Sequence, residues 1–321
     1  MMKPTIYVSR KIPNEFFEPY QNDWNVEMWH EETQVVDRDV FLKHVQKADA
    51  LFTTLTERVD REALDQAKNL KVIANLAVGY DNIDVEYAKE KGIVVTNTPD
   101  VLSETTADLT FALLMATARR IVEAEQFIKD GKWTNWAPFL LAGADIHHKT
   151  IGIVGMGRIG EAIARRARGF DMKILYHNRS RKEKVEQEIG ALYSSFDELI
   201  TTSDFVVCMT PLTEDTENMF QAEEFKKMKS SAIFINTSRG GVVNEEDLYN
   251  ALKKKDIQAA GLDVFQNEPI DEHHPLLQLE NVTALPHIGS ATYETRSKMI
   301  TLCLHNINQV LKGNKPITPI L

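Results

Sequence analysis

The feature that most constrains this chain is a regular alternation of short apolar runs with amphipathic segments. In the first third of the chain the strand-like runs are 4–10, 48–54, 70–76 and 92–98. The segments between them, such as 62–68 and 84–91, have the spacing of helices. Strands that alternate with helices predict βαβ units, and βαβ units build a mainly parallel sheet.

A second and longer series of apolar runs follows. Its members are 150–157, 172–179, 203–210, 231–238, 259–265 and 282–287. Six strands separated by helices are what a complete dinucleotide-binding domain needs. The chain is therefore expected to hold two parallel sheets.

Helical patterns lie on both sides of the second series. Thr105 and Asp108 have the spacing of a capping box. The apolar stripe predicted for the helix that follows consists of Leu109, Ala112, Leu113 and Ala116. The last pattern, 291–313, predicts one helix that is capped by Gly313 and packs back on the first domain.

These patterns predict an α/β protein with two Rossmann-like or flavodoxin-like domains. The first, expected to bind substrate, takes residues 1–98 plus 289–321. The second, a dinucleotide-binding Rossmann domain, takes residues 99–288. Because ligand sites are common at domain interfaces, we expect the active site in the cleft between the two.

Composition excludes several classes of protein. The 321 residues carry a net charge of −10, which argues against nucleic acid as a partner. Neither a membrane span of about 20 apolar residues nor a secretory signal is recognisable. Cys208 and Cys303 form no CxxC motif, and the histidine pairs 147–148 and 273–274 lack metal-ligand spacing. We expect a cytoplasmic protein without a catalytic metal.

The stretch GMGRIG places glycines at 155, 157 and 160, between a strand-like run and a helix-like run. In such a turn the first glycine permits the bend and the second lets the backbone approach a pyrophosphate. The third lets helix and strand pack closely. A purely structural glycine turn is the alternative, but the flanking strand and helix favour a dinucleotide site.

The end of the next strand indicates which dinucleotide binds. A carboxylate is expected there in an NAD site, but this chain has His177, followed by Arg179 and Ser180. A guanidinium and a hydroxyl suit a 2′-phosphate. We therefore expect NADP(H), with NAD(H) and a merely solvated basic turn left open as alternatives.

Three residues have the chemistry for reducing a 2-oxo acid. Arg239, Glu268 and His287 each follow a predicted strand, at the edge where open α/β sheets bind ligands. Arginine can hold a carboxylate with two hydrogen bonds, histidine can donate a proton, and glutamate can fix the imidazole tautomer. Spacing alone does not show that the three converge.

The chain resembles the D-2-hydroxyacid dehydrogenase family, in particular its glyoxylate/hydroxypyruvate reductase branch. The resemblance covers essentially the whole chain. It is carried by NLAVGYDNID (75–84), ETTADLTFALLMATAR (104–119), GIVGMGRIGEAIARR (152–166), INTSRGGVVNEEDL (235–248), AAGLDVFQNEP (259–269) and LPHIGSAT (285–292). It implies that Arg239, Glu268 and His287 are the catalytic residues.

The resemblance also implies the remaining contacts. Substrate would bind Leu55, Val78, Gly79, Arg239 and His287. The cofactor would bind Thr106, Gly155, Gly157, Arg158, Ile159, Gly160, Asn178, Arg179, Ser180, Pro211, Thr216, Thr237, Ser238, Asp263, Gly289 and Ser290. A homodimer paired through the cofactor domains is implied, in which Trp133 and Trp136 either reach the neighbour's site or simply pack.

The function implied is NADPH-dependent reduction of a small 2-oxo acid, glyoxylate or hydroxypyruvate, to the 2-hydroxy acid. Reduction of 2-ketogluconate, or another D-2-hydroxyacid dehydrogenase activity, is the alternative. A dinucleotide-sensing corepressor is a remote one, because a corepressor tolerates loss of catalytic residues and here all three are present.

Overall fold

The computed structural model describes residues 3–320. The chain divides into two compact units, one formed by Met1–Leu102 with Thr292–Leu321 and the other by Ser103–Ala291. None of the helices in the described part of the chain is long and apolar enough to cross a membrane.

The strands and helices alternate along the chain as the apolar pattern predicts. The strands are β1 (Thr5–Val8), β2 (Asn25–Met28), β3 (Ala50–Thr53), β4 (Val72–Asn75), β5 (Val94–Thr96), β6 (Thr150–Val154), β7 (Lys173–His177), β8 (Leu192–Tyr193), β9 (Phe205–Cys208), β10 (Ile233–Asn236), β11 (Ala259–Leu262) and β12 (Val282–Ala284). The helices are α1 (Arg38–Val45), α2 (Arg61–Gln66), α3 (Val85–Glu90), α4 (Ser103–Ala118), α5 (Ile121–Lys129), α6 (Arg158–Arg168), α7 (Glu183–Ile189), α8 (Phe196–Thr202), α9 (Ala222–Lys227), α10 (Glu245–Lys254) and α11 (Tyr293–Leu311).

The first unit is built on a parallel sheet of five strands in the order β2-β1-β3-β4-β5. Because successive side chains of a strand point to opposite faces, each strand contributes side chains to both faces of the sheet. Leu51 and Ile73 pack on one face with residues of α1, α2 and α3. Phe52 and Ala74 pack on the other face with residues of α11. The last helix thus belongs to the core of the first unit.

The second unit is built on a parallel sheet of seven strands in the order β12-β11-β10-β9-β6-β7-β8. Helices α4 and α6 cover one face, and α8, α9 and α10 cover the other. Strand β6 pairs with both β7 and β9, so the strand order reverses beside β6. In open α/β sheets ligands bind outside the carboxyl ends of the strands at such a reversal. The predicted fold class, α/β with two parallel sheets, is confirmed.

Two short edge strands are absent from the sequence prediction. Strand β2 has the sequence NVEM, in which no side chain is fully buried, and β8 consists of two exposed residues. An edge strand has one free side and little buried surface, so its sequence lacks a continuous apolar run. The prediction of six strands in the second sheet is therefore one strand short.

The predicted start and buried face of α4 are also wrong. The helix begins at Ser103, so Thr105 lies inside its first turn rather than at the N-cap. Asp108 instead accepts hydrogen bonds from Arg166 of α6, at 2.7 and 2.5 Å. Of the predicted stripe, Leu113 is buried, whereas Leu109 and Ala116 are partly exposed and Ala112 is exposed. Buried threonines alternate with the apolar residues of α4, which shifts the buried face away from that stripe.

Candidate active site

The carboxyl edge of the seven-stranded sheet carries nearly all of the site residues predicted for the second unit. Each of the strands β6, β7, β9, β10, β11 and β12 ends no more than three positions before a group of them. In that order the groups are 155–160, 178–180, 211–216, 237–239, 263–268 and 287–290. Thr106 comes from α4 instead. Parallel strands bring the groups to one edge because all their carboxyl ends point the same way.

His287 and Glu268 meet at this edge. Nδ1 of His287 lies 2.6 Å from Oε2 of Glu268, and the other carboxylate oxygen accepts a hydrogen bond from the backbone N–H of Phe265 at 3.0 Å. The glutamate is thus held at both oxygens. A carboxylate at Nδ1 fixes the tautomer and leaves Nε2 for a ligand. Both side chains are about 30% exposed, at 28% and 31%, so a ligand can reach them.

Asp263 connects the end of β11 to the loop that carries His287. Its Oδ1 accepts the backbone N–H of Ile288 at 2.8 Å, while its Oδ2 is buried and has no hydrogen-bond partner among the described residues. A Cβ placed on Gly289 would lie 3.3 Å from that oxygen and from Cγ2 of Thr106. Burial raises the pKa of the Asp263 carboxyl. The unsatisfied oxygen of Asp263 therefore lies close to Gly289, which also lies close to Thr106.

Arg239 lies at the end of a turn that Asn236 organises. The side-chain oxygen of Asn236 accepts the N–H of Ser238 at 3.0 Å and its hydroxyl at 2.8 Å. The side-chain nitrogen of Asn236 donates to the carbonyl of Arg239 at 2.9 Å. Sequence reasoning missed Asn236, although an asparagine at a strand end is a recognised turn former. The hydroxyl of Ser238, predicted to contact cofactor, is engaged inside the protein.

The glycine turn between β6 and α6 has the shape that a pyrophosphate requires. A Cβ on Gly155 would lie 2.6 Å from the carbonyl oxygen of Met209, and one on Gly160 would lie 2.3 Å from the carbonyl oxygen of Gly155. A Cβ on Gly157 would meet nothing within 4 Å. No side chain caps α6 at Gly157, so the helix presents its first N–H groups and its positive dipole end. These features and the unsatisfied Asp263 oxygen fit a bound dinucleotide.

The two arginines that follow β7 differ in whether they form an ion pair within the described residues. Arg181 forms two hydrogen bonds of 2.8 Å with Glu186, which hold the pKa of that carboxyl at about 2. Arg179 is exposed and has no ion-pair partner within residues 3–320. His177 places Nδ1 3.1 Å from the carbonyl oxygen of Ser194. Of the two arginines, Arg179 is the one available to an anionic ligand.

The remaining predicted cofactor residues include two whose hydroxyls already have partners. Thr216 donates to the carbonyl of Pro211 at 2.6 Å and accepts the N–H of Thr213 at 2.8 Å, so it closes its own loop. Oγ1 of Thr237 lies 2.7 Å from Oγ1 of Thr110 on α4. Their backbone groups still lie on the same sheet edge.

The substrate residues predicted for the first unit follow two neighbouring strands. Leu55 comes after β3, and Val78 and Gly79 come after β4. Beside Leu55 lies a buried carboxylate that sequence reasoning missed, Glu57. It accepts hydrogen bonds from Ser9 Oγ at 2.7 Å, from the N–H of Thr54 at 2.8 Å and from Arg10 at 2.9 Å. Glu57 thus fixes the loop that carries Leu55. Its only sequence signal is a lone glutamate after a strand.

No group of three or more His, Cys, Asp or Glu side chains is arranged for a metal within residues 3–320. In the two histidine pairs, His147 and His273 contact neighbouring carboxylates at 3.8 and 3.7 Å, and His274 lies 3.4 Å from a carboxylate oxygen of Glu245.

Comparison with known proteins agrees with this geometry. Residues 111–289 match the family described as "D-isomer specific 2-hydroxyacid dehydrogenase, NAD binding domain". The chain is 48% identical to a glyoxylate reductase of Thermococcus onnurineus, over 99% of this chain and 96% of the relative. The crystal structure of a Thermus thermophilus protein superposes with a TM-score of 0.92 at 41% identity, over 99% of this chain and all of the other.

A further solved structure carries ligands. The NADPH-dependent glyoxylate/hydroxypyruvate reductase of Sinorhizobium meliloti, in complex with NADP and malonate, matches with a TM-score of 0.87 at 32% identity. The match covers 99% of this chain and 97% of the other. Fold and sheet edge thus define a dehydrogenase that uses a nicotinamide dinucleotide. The chain belongs to the D-isomer specific 2-hydroxyacid dehydrogenase family, as its sequence motifs predict.

Proposed function

We propose that the protein reduces glyoxylate or hydroxypyruvate to the corresponding 2-hydroxy acid with NADPH. The observation that carries the proposal is the His287–Glu268 pair, an imidazole held by a fixed carboxylate at the same carboxyl edge of the sheet as the glycine turn. The relatives named glyoxylate reductase support the choice of substrate. The bound dinucleotide supplies the hydride.

His287 is proposed to donate the proton that the carbonyl oxygen needs when carbon receives hydride. Glu268 is hydrogen-bonded to Nδ1 of the ring, so the proton that is transferred resides on Nε2. The carboxylate stabilises the imidazolium by charge and by a hydrogen bond. Because Glu268 is itself held by the N–H of Phe265, it keeps the ring in one orientation. General acids of this kind contribute about 10²- to 10⁴-fold to a rate.

Arg239 is proposed to hold the substrate carboxylate and polarise the carbonyl. Its position depends on the Asn236 turn, and its guanidinium donates to the carbonyl of Ser238 at 2.8 Å through Nη1. In the first unit the N–H groups of Val78 and Gly79, with a weaker contact from Leu55, are proposed to bind the same carboxylate. Backbone N–H groups and a guanidinium are both suited to a small carboxylate anion.

The reaction is tested by following NADPH absorbance with glyoxylate and hydroxypyruvate. His287→Gln should lower kcat by about 100-fold or more, as expected for loss of a general acid. The matched control is His305→Gln, because His305 is an exposed residue of α11. A His287→Gln variant as active as the control would refute the proton-donor role. Turnover only with larger 2-oxo acids such as 2-ketogluconate would refute the choice of substrate.

NADPH preference is proposed to depend on Arg179 and Ser180, with Asn178 shaping the turn. Arg179→Ala should lower kcat/KM for NADPH about 10- to 150-fold, the range expected for a charge-assisted hydrogen bond, and leave NADH unchanged. Arg181→Ala is the matched control, because the Arg181 guanidinium is occupied by Glu186. Equal losses in both variants would show that general positive charge, not Arg179, selects the cofactor.

A homodimer formed through the second unit is also proposed. Several large apolar side chains of this unit are exposed between residues 121 and 140. They are Ile121, Val122, Ile128, Trp133, Trp136, Phe139 and Leu140. Trp136 is 78% and Phe139 87% exposed, and an apolar surface of this kind typically binds another protein surface. Sedimentation of the Trp136→Ser/Phe139→Ser variant should show a monomer where the native protein is a dimer. A variant that stays dimeric would exclude this surface.

A further inference from the structure

Three consecutive carbonyl groups in the loop after β4 each accept a hydrogen bond from a different residue. The carbonyl of Ala77 accepts the N–H of Thr98 at 2.8 Å. The carbonyl of Val78 accepts Nδ2 of Asn97 at 2.8 Å, and that of Gly79 accepts Nδ2 of Asn75 at 3.0 Å. Two of the three donors are uncharged side-chain amides.

This arrangement determines where the N–H groups of the loop point. In a trans peptide the C=O of one residue and the N–H of the next point in opposite directions. The cis bond found within residues 3–320 is Glu268–Pro269, so the peptides of this loop are trans. The N–H groups of Val78, Gly79 and Tyr80 therefore each point away from the donor that holds the preceding carbonyl. None of them donates to another group in the described part of the protein.

Successive backbone N–H groups without a partner in the protein can bind an anion. The hydrogen bond to each carbonyl fixes the plane of its peptide and so the direction of the N–H group in that peptide. The geometry of the site therefore depends on the residues that donate to these carbonyls. Asn75 is fully buried and also contacts Thr53 and Asn82, at 3.1 and 3.3 Å. Asn97 is only half-buried, and its side-chain amide holds the central peptide.

The backbone of Asn97 is itself held by a segment near the end of the chain. Its carbonyl accepts the hydroxyl of Thr318 at 2.7 Å, and its N–H donates to the carbonyl of Thr318 at 3.3 Å. Thr318 is held in turn by Asn306 of α11, which donates to its hydroxyl at 2.8 Å and accepts its N–H at 3.1 Å. This leaves the Asn97 side chain little freedom to follow the loop if the loop moves.

We propose that Asn97 is a positioning residue for substrate binding: its side-chain amide keeps the Val78–Gly79 peptide turned so that the Gly79 N–H meets the substrate carboxylate. The inference rests on the proposed function, in which that N–H binds the carboxylate. A neutral donor suits this role because it holds a carbonyl without placing a competing charge beside the anion. Removing it lets the peptide rotate and the N–H leave the site.

The test uses Asn97→Ala, which removes the donor, and Asn97→Asp, which keeps the size of the side chain. In both, KM for glyoxylate and the inhibition constant of oxamate should rise about 10-fold or more. The change in kcat should stay within about threefold, because a carboxylate that does not react is bound equally in the ground and transition states. The dissociation constant for NADPH, whose proposed site is in the second unit, should be unchanged.

Asn281→Ala is the matched control. Its side-chain amide also donates to a backbone carbonyl, that of Gln258 at 3.0 Å, but at the amino-terminal edge of the other sheet. An unchanged KM in both Asn97 variants would overturn the inference. A loss of kcat and of NADPH binding together with KM would overturn it as well, since that pattern reports general misfolding. Failure of the native protein to reduce glyoxylate would refute the proposed function. That result is distinct from an unchanged KM in the Asn97 variants, which refutes only the role of Asn97.

Discussion

Replacing Gly157 with alanine should separate cofactor binding from folding. Gly157 is the N-cap of α6, with φ −85° and ψ −169°, a conformation open to any residue. A Cβ there meets no protein atom within 4 Å. Alanine is a poorer N-cap than glycine by roughly 0.5–1 kcal/mol. Alanine also lowers the conformational entropy of the unfolded chain, which stabilises the folded protein by about 0.4–1 kcal/mol and offsets the poorer N-cap. The free energy of unfolding should therefore change by less than about 1 kcal/mol.

Cofactor affinity should change far more. The new methyl group would occupy the side of the turn that is open to a ligand, where the pyrophosphate has to approach the backbone. Losing one charge-assisted hydrogen bond of about 1.5–3 kcal/mol corresponds to a dissociation constant roughly 10- to 150-fold higher. Fluorescence titration with NADPH measures the affinity, and urea denaturation of the dinucleotide-free protein measures the stability.

Gly160→Ala is the comparison variant. Its Cβ would lie 2.3 Å from the carbonyl oxygen of Gly155, so the backbone has to move, at a cost of about 1–3 kcal/mol. The reasoning is refuted if Gly157→Ala binds NADPH as tightly as the native protein. It is also refuted if the two alanine variants lose the same stability.

Three further outcomes follow from buried groups. Burial raises the pKa of Asp263 above its ordinary 3.8. Ionising this carboxyl therefore destabilises the folded protein. The penalty is absent below pH 3.8 and grows as pH rises towards the raised pKa. The stability of Asp263→Asn relative to the native protein should increase as pH rises above about 4; a pH-independent difference would contradict this. Asn236→Ala leaves the N–H of Ser238 unpaired and leaves its hydroxyl only the Cys208 sulfur, 3.3 Å away. The free energy of unfolding, measured by urea denaturation, should fall by about 1–3 kcal/mol, and no fall would show that the turn forms without Asn236. Cys208 and Cys303 are fully buried, and burial raises both thiol pKa values, so neither should react with a thiol reagent until the protein unfolds. Labelling of the folded protein would contradict that burial.

The parts of the fold that the sequence predicts are those with continuous apolar runs. Every predicted strand is present, because a strand buried on both faces needs apolar residues at every position. Edge strands β2 and β8 lack such runs. The buried face of α4 is not predicted correctly because Thr106, Thr110 and Thr117 are buried there, which hydropathy alone does not indicate.

Within the candidate site, residue type and position after a strand are predictable, but partners are not. Nothing in the spacing of Glu268 and His287 says that their side chains meet at 2.6 Å. The engagement of Arg181 by Glu186 is likewise a property of the folded turn, and it distinguishes two arginines that look equivalent in the sequence. The side chains of Asn97 and Asn236 donate to backbone carbonyls, and no sequence motif indicates such contacts.

The assignment of α11 to the core of the first unit has a consequence for synthesis on the ribosome. The five-stranded sheet starts first, but the helix that covers the face with Phe52 and Ala74 is translated only after Ser103–Ala291. At roughly 5–20 residues per second, that interval lasts about 10–40 s. The unit Ser103–Ala291 is thus fully translated before the unit whose two segments flank it in the sequence. Until α11 emerges, the nascent chain exposes an apolar sheet face, which makes this interval its period of greatest exposure to aggregation and to chaperones.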